Sequence, residues 1–268
     1  MFTELKTFVK EIYQNKRLLL QFSFNDFRSR YAGSTLGMFW AFANPVVTVV
    51  TYWFVFGMVF KNPNQEYPQI VLLLTGLVPW FYFSDVLGSG TGVYREYSYL
   101  VKKVVFNIRI LPTAKLISNL YIHGFFVVIA LGVTISQGFM PTLQILQIFY
   151  YLFCLMMFLT GLTWITSSIQ PFLPDINQFI AIIMQALMWG TPVLWDISSF
   201  ANHPTILFLL KFNPLYYVVQ GYRSAFLNQG WFWEHWALTA YFWGVTFILL
   251  IVGSLMFKRL RPHFSDVL

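Results

Sequence analysis

Charge is what this sequence has least of. Lys, Arg, Asp and Glu make up 10% of its 268 residues, where a soluble globular domain carries about 25%. Carboxylates are the scarcer kind, with 10 Asp and Glu against 17 Lys and Arg. So few acids argue against a carboxylate relay for ion-coupled transport, and against the acidic clusters of an enzyme acting on polyprenyl lipids. Cysteine is nearly absent. Cys154 stands alone inside an apolar run, which excludes an internal disulfide and leaves a small core residue. The four histidines, His123, His203, His235 and His263, are far apart in sequence. There is no phosphate loop of the GxxxxGK[ST] type and no HExxH. The expectation is a chain with no catalytic site, metal or cofactor of its own. The start, MFTELKTFVKEIYQNKR, has no short apolar core followed by a cleavage site, so it does not read as a signal peptide.

What is present is apolar surface. Hydrophobic residues reach 57% and aromatics 21%, more than a soluble core of this size could hide, so the expected solvent is lipid. A helix crosses the hydrocarbon with roughly 20 apolar residues. Six such stretches can be marked: 34–60, 68–93, 116–136, 143–170, 176–195 and 236–257. Gln137-Gly138-Phe139-Met140-Pro141-Thr142 is the turn that divides the third from the fourth. Of the 17 Lys and Arg, all but Lys61, Lys211 and Arg223 fall on one side of this six-span topology. The positive-inside rule then puts both termini in the cytoplasm. The net charge of +7 is read through that asymmetry and does not point to nucleic acid.

Three segments are not expected to span. Residues 1–31 hold an amphipathic surface helix, with Leu5, Phe8, Val9, Ile12 and Tyr13 on one face. Residues 94–115, YREYSYLVKKVVFNIRILPTAK, mix charge with apolar residues at helical spacing, and Pro112 is expected to interrupt them. Residues 196–234 carry two short apolar runs parted by Asn213-Pro214. They read as short helices dipping into the outer leaflet. The fold class is thus all-α integral membrane, one domain over residues 1–268.

Individual residues leave alternatives open. Asp85 is a carboxylate inside a span, either functional or bonded to a neighbouring helix among Gly88, Gly90 and Gly92. His123 suits an interhelical hydrogen bond or a proton transfer. The tryptophans and tyrosines stack on sugar faces or anchor helices at the interface. Arg28 and Arg30, at the junction of the surface helix with span one, set topology or bind phosphate oxygens.

FRSRYAGSTLGMFWAFANP (27–45) and YWFVFG (52–57) resemble the start of permease subunits of ABC-2 polysaccharide exporters, which serve O-antigen, capsule and wall teichoic acid. The family pattern R-Y-x-x-S-x-L-G-x-x-W-x-x-x-N-P is filled by Arg30, Tyr31, Ser34, Leu36, Gly37, Trp40, Asn44 and Pro45. LVKKVVFNIRILPTAKL (100–116) resembles the family's coupling helix, with Asn107 where proline is usual. NPLYYVVQGYRSAFL (213–227) resembles the block before its last span. TPVLWD (191–196), YWFVFG and YYVVQGYR look most like the teichoic-acid branch, with O-antigen or capsule export the alternative and a drug or small-lipid exporter a more distant one.

The resemblance implies a half-transporter. Two copies pair around a channel and each binds a cytoplasmic ABC ATPase, which holds ATP and Mg2+. The substrate is a polymer on undecaprenyl pyrophosphate, moved from the inner to the outer leaflet of the bacterial cell (inner) membrane. It implies ATPase contacts at Lys102, Lys103, Phe106, Asn107 and Arg109, and a lipid-pyrophosphate entrance at Arg28 and Arg30. Trp40, Tyr52, Asp85, Trp189 and Trp195 become channel or gate candidates. Gly33 and Gly37 are expected to let helices approach closely, and Asn44-Pro45 to bend span one.

Overall fold

A computed structural model describes residues 10–59, 67–102, 107–197 and 203–268, and every regular element among them is helical. In chain order the main helices are α1 (Lys16–Ser29), α2 (Phe39–Trp53), α3 (Gln69–Thr91), α4 (Ile110–Ser136), α5 (Gln147–Ile169), α6 (Ile176–Gly190), α7 (Pro204–Phe212), α8 (Pro214–Leu227) and α9 (Trp236–Leu260). Among the described residues five stretches are long and apolar enough to cross a bilayer: Phe39–Val59, Gln69–Thr91, Ile110–Ser136, Leu143–Ile169 and Phe232–Val267. The chain is therefore an all-helical integral membrane protein.

The centre is α3, whose most apolar window is 78% buried. It is apolar over most of its surface, as suits a helix enclosed by others, and α4, α5 and α8 surround it. Lipid tails are as apolar as leucine, so close packing and hydrogen bonds hold such a bundle together. The Tyr82 hydroxyl donates to Leu116 O at 3.0 Å, and Thr91 Oγ1 donates to Thr166 Oγ1 at 2.9 Å. Helix α9 lies on α5 where Gly161 and Gly253 meet: a Cβ on Gly253 would stand 2.8 Å from Gly161 O. By contrast, only 6% of the window at Phe39–Val59 is buried, and α6 presents mostly exposed residues. Helices α2 and α6 form an open flank on α3.

Several expected boundaries move. Span one starts at Phe39, because Gly33 and Gly37 take φ of +97° and +51° and turn the chain between α1 and α2. A Cβ on either glycine would meet nothing within 4 Å, so these residues serve backbone turning and not close helix approach. Helix α2 runs on past Pro45 and passes into a π-helical segment, Phe54–Val59. Helix α4 begins at Ile110, six residues before the expected span. Pro112 lies in its first turn, where no intrahelical N–H is needed, so it starts a helix instead of interrupting one. The expected fifth span is a 15-residue helix ending at Gly190, about 22 Å long against the roughly 30 Å of hydrocarbon. Pro192 explains the stop: the residue before a proline is disfavoured in the helical region, and Thr191 is extended, with φ −112° and ψ 141°.

Candidate functional site

The junction at residues 27–45 is built on a buried charge cluster. Helix α1 turns Leu19, Ser23, Asp26 and Phe27 inward, so the polar Ser23 and Asp26 lie between two apolar residues on its inner stripe. Asp26, with no exposed side chain, receives Arg30 Nη2 at 2.9 Å, one turn on. It also pairs with Lys115 Nζ of α4, itself 2% exposed. Ser118 Oγ and the Tyr97 hydroxyl each donate to Asp26 at 2.6 Å. Arg30 reaches on to Asn119 Oδ1 at 2.8 Å, and Lys115 to Glu96 at 2.8 Å. Burial alone would push the Asp26 carboxyl up. The attraction of Lys115 and then Arg30, with the hydrogen bonds from Lys115 and Ser118, outweighs it and holds the group at about 2. One carboxylate thus ties together the surface helix, the 93–102 segment and α4.

The two arginines of the junction part company here. Arg30 is committed to Asp26, Ser118 and Asn119. Arg28 is exposed, and its side chain makes no hydrogen bond or ion pair among the described residues. Asp85, on α3, is exposed toward the same junction, within electrostatic reach of Arg30 and Tyr31. Its side chain accepts no hydrogen bond among the described residues; Ser89 Oγ donates to its main-chain oxygen at 2.6 Å.

The other channel candidates lie along the open flank. Trp40 opens α2 at 42% exposure, and Trp189 closes α6 at 56%. The Tyr52 hydroxyl stands 3.9 Å from Met188 Sδ, which brings α2 against α6. Trp195 Nε1 donates to Trp189 O at 3.3 Å. Asp85, Trp40, Tyr52 and Trp189 therefore belong to neighbouring helices on one side of the bundle.

The expected ATPase-contact segment is two single-turn helices, Val93–Glu96 and Ser98–Val101, followed by Lys102, which is exposed. Lys103 and Phe106 lie outside the described residues. Asn107 Oδ1 accepts the Arg109 N–H at 3.2 Å, an Asx turn that leads into α4 where the family usually has proline. The Arg109 guanidinium sits 5.3 Å over the Phe257 ring, in the last turn of α9. Residues 110–115, expected in the loop, already belong to α4.

At the opposite end the NPLYYVVQGYR and TPVLWD blocks meet. Asn213 Oδ1 caps α8 by accepting Leu215 N at 3.0 Å, while its Nδ2 donates to Thr191 Oγ1 at 2.7 Å. Arg223, 2% exposed, donates Nη2 to Val193 O at 3.0 Å. Tyr222 bonds His123 Nε2 at 3.0 Å, the interhelical role of that histidine. Asp26, Lys115, Tyr97, Ser118 and Asn119 were not singled out from sequence. The available signal was the four-residue spacing of Asp26 and Arg30 on an otherwise amphipathic helix.

The family model described as "ABC-2 type transporter" matches residues 18–227. The O-antigen export system permease protein RfbA of Myxococcus xanthus is 26% identical over 268 residues, covering 96% of this chain and 98% of the relative. An RfbA of Klebsiella pneumoniae is 27% identical over 256 residues, with 94% and 95% coverage. The polysialic acid transport protein KpsM of Escherichia coli is 21% identical, with 87% and 89% coverage. These relatives are named for O-antigen and polysialic acid, so the leaning toward the teichoic-acid branch is not supported. With the family model spanning most of the chain, from α1 to the end of α8, this protein belongs to the ABC-2 type transporter family, the transmembrane subunits of ABC transporters.

Proposed function

We propose that this chain is the membrane half of an ATP-driven exporter for a lipid-linked polysaccharide of the O-antigen or capsule kind. One observation carries the reading: similarity runs nearly end to end with permeases for both kinds of glycan. In this reading two copies pair through the open flank of α2 and α6. Two cytoplasmic ABC ATPases bind the pair and supply the nucleotide chemistry with ATP and Mg2+. The polymer rides on undecaprenyl pyrophosphate from the inner to the outer leaflet of the bacterial inner membrane. Both termini are cytoplasmic, which requires α6 with its extended tail to complete a sixth crossing. Helices α7 and α8 are then re-entrant from outside. Trp40, Tyr52, Asp85, Trp189 and Trp195 line or gate the channel.

The charge cluster divides the work at the entrance. Arg28 meets the pyrophosphate, and Arg30 holds the junction in place. Arg28→Ala is expected to reduce export of lipid-linked polymer at least tenfold with an unchanged melting temperature. Arg30→Ala is expected to lower the melting temperature as well, since it strips a partner from buried Asp26. Equal export by Arg28→Ala and wild type would remove Arg28 from the entrance.

The 94–115 segment receives the ATPase. ATP binding moves a membrane domain only through a contact that differs between states, and Lys102, Lys103, Phe106, Asn107 and Arg109 are assigned to that contact. Phe106→Asp is expected to abolish co-purification with the ATPase. A variant that retains a stoichiometric, glycan-stimulated ATPase would contradict the assignment.

A further inference from the structure

A cavity of ≈ 250 Å³ lies between α5, α7, α8, Ile197 and the start of α9, and none of its described lining residues belongs to α2 or α6. Liquid water takes about 30 Å³ per molecule, so the space matches roughly eight waters or one sugar ring. The rings of Tyr151, Tyr216 and Tyr217 form part of its wall. Gly221 has no side chain there because the Tyr151 ring occupies the place a Cβ would take.

The polar side chains of this wall differ from those beside it. Neighbouring amides are spent on holding loops. Gln147 donates to Gly230 O at 2.9 Å and accepts from Phe232 N at 2.7 Å. Asn228 bonds Met140 O and Thr142. Inside the cavity, the side chains of Lys211, Gln220, Ser224, Gln229 and His235 make no hydrogen bond or ion pair among the described residues. Gln220 Nε2 is buried without a partner, which a folded protein normally avoids. Tyrosine rings, two amides, a hydroxyl, an imidazole and one ammonium, with no carboxylate among the described lining residues, form a set suited to a polyhydroxylated ring carrying an acid.

We propose that this cavity binds one residue of an acidic polysaccharide. The ring packs on the tyrosines, Gln220, Gln229 and Ser224 take the hydroxyls, and Lys211 faces the carboxylate. The assignment rests on the exporter reading and its orientation, which put the cavity on the outer face, where polymer emerges.

The test is saturation-transfer NMR on the full chain in nanodiscs, with trisialic acid as probe. A neutral mannotriose and glycerol 3-phosphate, a lipid-headgroup mimic, serve as competitors. Saturable trisialic acid binding is expected, weakened at least tenfold by Gln220→Leu and by Lys211→Gln, and poorly displaced by either competitor. Gln229→Ala, at an exposed position, is the second variant should Gln220→Leu fail to fold, and it too is expected to weaken binding. No saturable signal, or a signal that these variants leave unchanged, would overturn the proposal. Displacement by glycerol 3-phosphate at equal concentration would overturn it in favour of a lipid-headgroup site. The assay needs no ATPase. Absent sugar binding with glycan-stimulated ATP hydrolysis intact sinks the cavity alone, whereas absent stimulation sinks the exporter reading.

Discussion

Asp26→Ala is expected to destabilise the folded chain by about 3–5 kcal/mol, the usual consequence of removing one partner from a buried ion pair. The expected size follows from the geometry. Asp26 has no exposed side chain and Lys115 only 2%, so neither charge is relieved by water when the other is deleted. Arg30 loses its 2.9 Å partner in the same stroke, and the Tyr97 and Ser118 hydroxyls lose an acceptor. Glu96→Gln is the contrasting case. Glu96 is 46% exposed, and a pair screened to that degree is worth about 1 kcal/mol or less. The pH dependence has a definite sign. The Asp26 carboxyl sits at about 2 when folded, below its ordinary 3.8, so the unfolded chain binds more protons between these values. Its contribution is fully present above about pH 4 and is lost as pH falls toward 2. Melting in detergent over that window should show this loss in wild type and a smaller slope in Asp26→Asn. A wild-type slope retained by the variant would place the titration elsewhere.

Gly76→Val is the second large effect, expected at about 3 kcal/mol from overpacking. A Cβ on Gly76 would collide with Val193 O and stand 3.1 Å from both Val193 C and Cα. The obstacle is main chain, which cannot swing aside as a side chain can. Val193 is fully buried, and its carbonyl accepts the Arg223 guanidinium. Pushing it away would detach the 191–196 segment from α3 and loosen Arg223 of α8 together. Gly88→Val is the control on the same helix, since a Cβ there meets nothing within 4 Å. Thermal melting of the two variants separates the collision from the general cost of a β-branched residue in a helix. Equal melting temperatures would mean that α3 and the 191–196 segment are not packed as described.

Long apolar runs are legible because lipid requires about 20 such residues whatever surrounds them. The helices α3, α4, α5 and α9 follow from hydropathy to within a few residues of their ends, except at the start of α4. That start was hidden because Lys115 reads as a loop residue until Asp26, 89 positions away, is known to neutralise it. For Arg30, local spacing offers Asp26 one turn away, but not Ser118 and Asn119 of α4. Gly33 and Gly37 were visible, but φ decides their use, and composition does not report φ. For α6 the informative residue was Pro192, whose local effect on Thr191 outweighs an apolar stretch that continues past it. The clamp of Arg223 on Val193 depends on two blocks that hydropathy treats as unrelated. Their meeting is a property of the packed bundle.

Export by this chain is tested most directly through ATP hydrolysis after reconstitution in liposomes with its partner ABC ATPase. The assay is run without glycan and with undecaprenyl-pyrophosphate-linked O-antigen, capsular or teichoic-acid polymer. Hydrolysis is expected to require the assembled complex and to rise with an O-antigen- or capsule-type lipid, and Arg28→Ala is expected to lose that rise. A complex that forms but responds to no lipid-linked glycan would contradict the account, as would a chain that assembles with no ATPase.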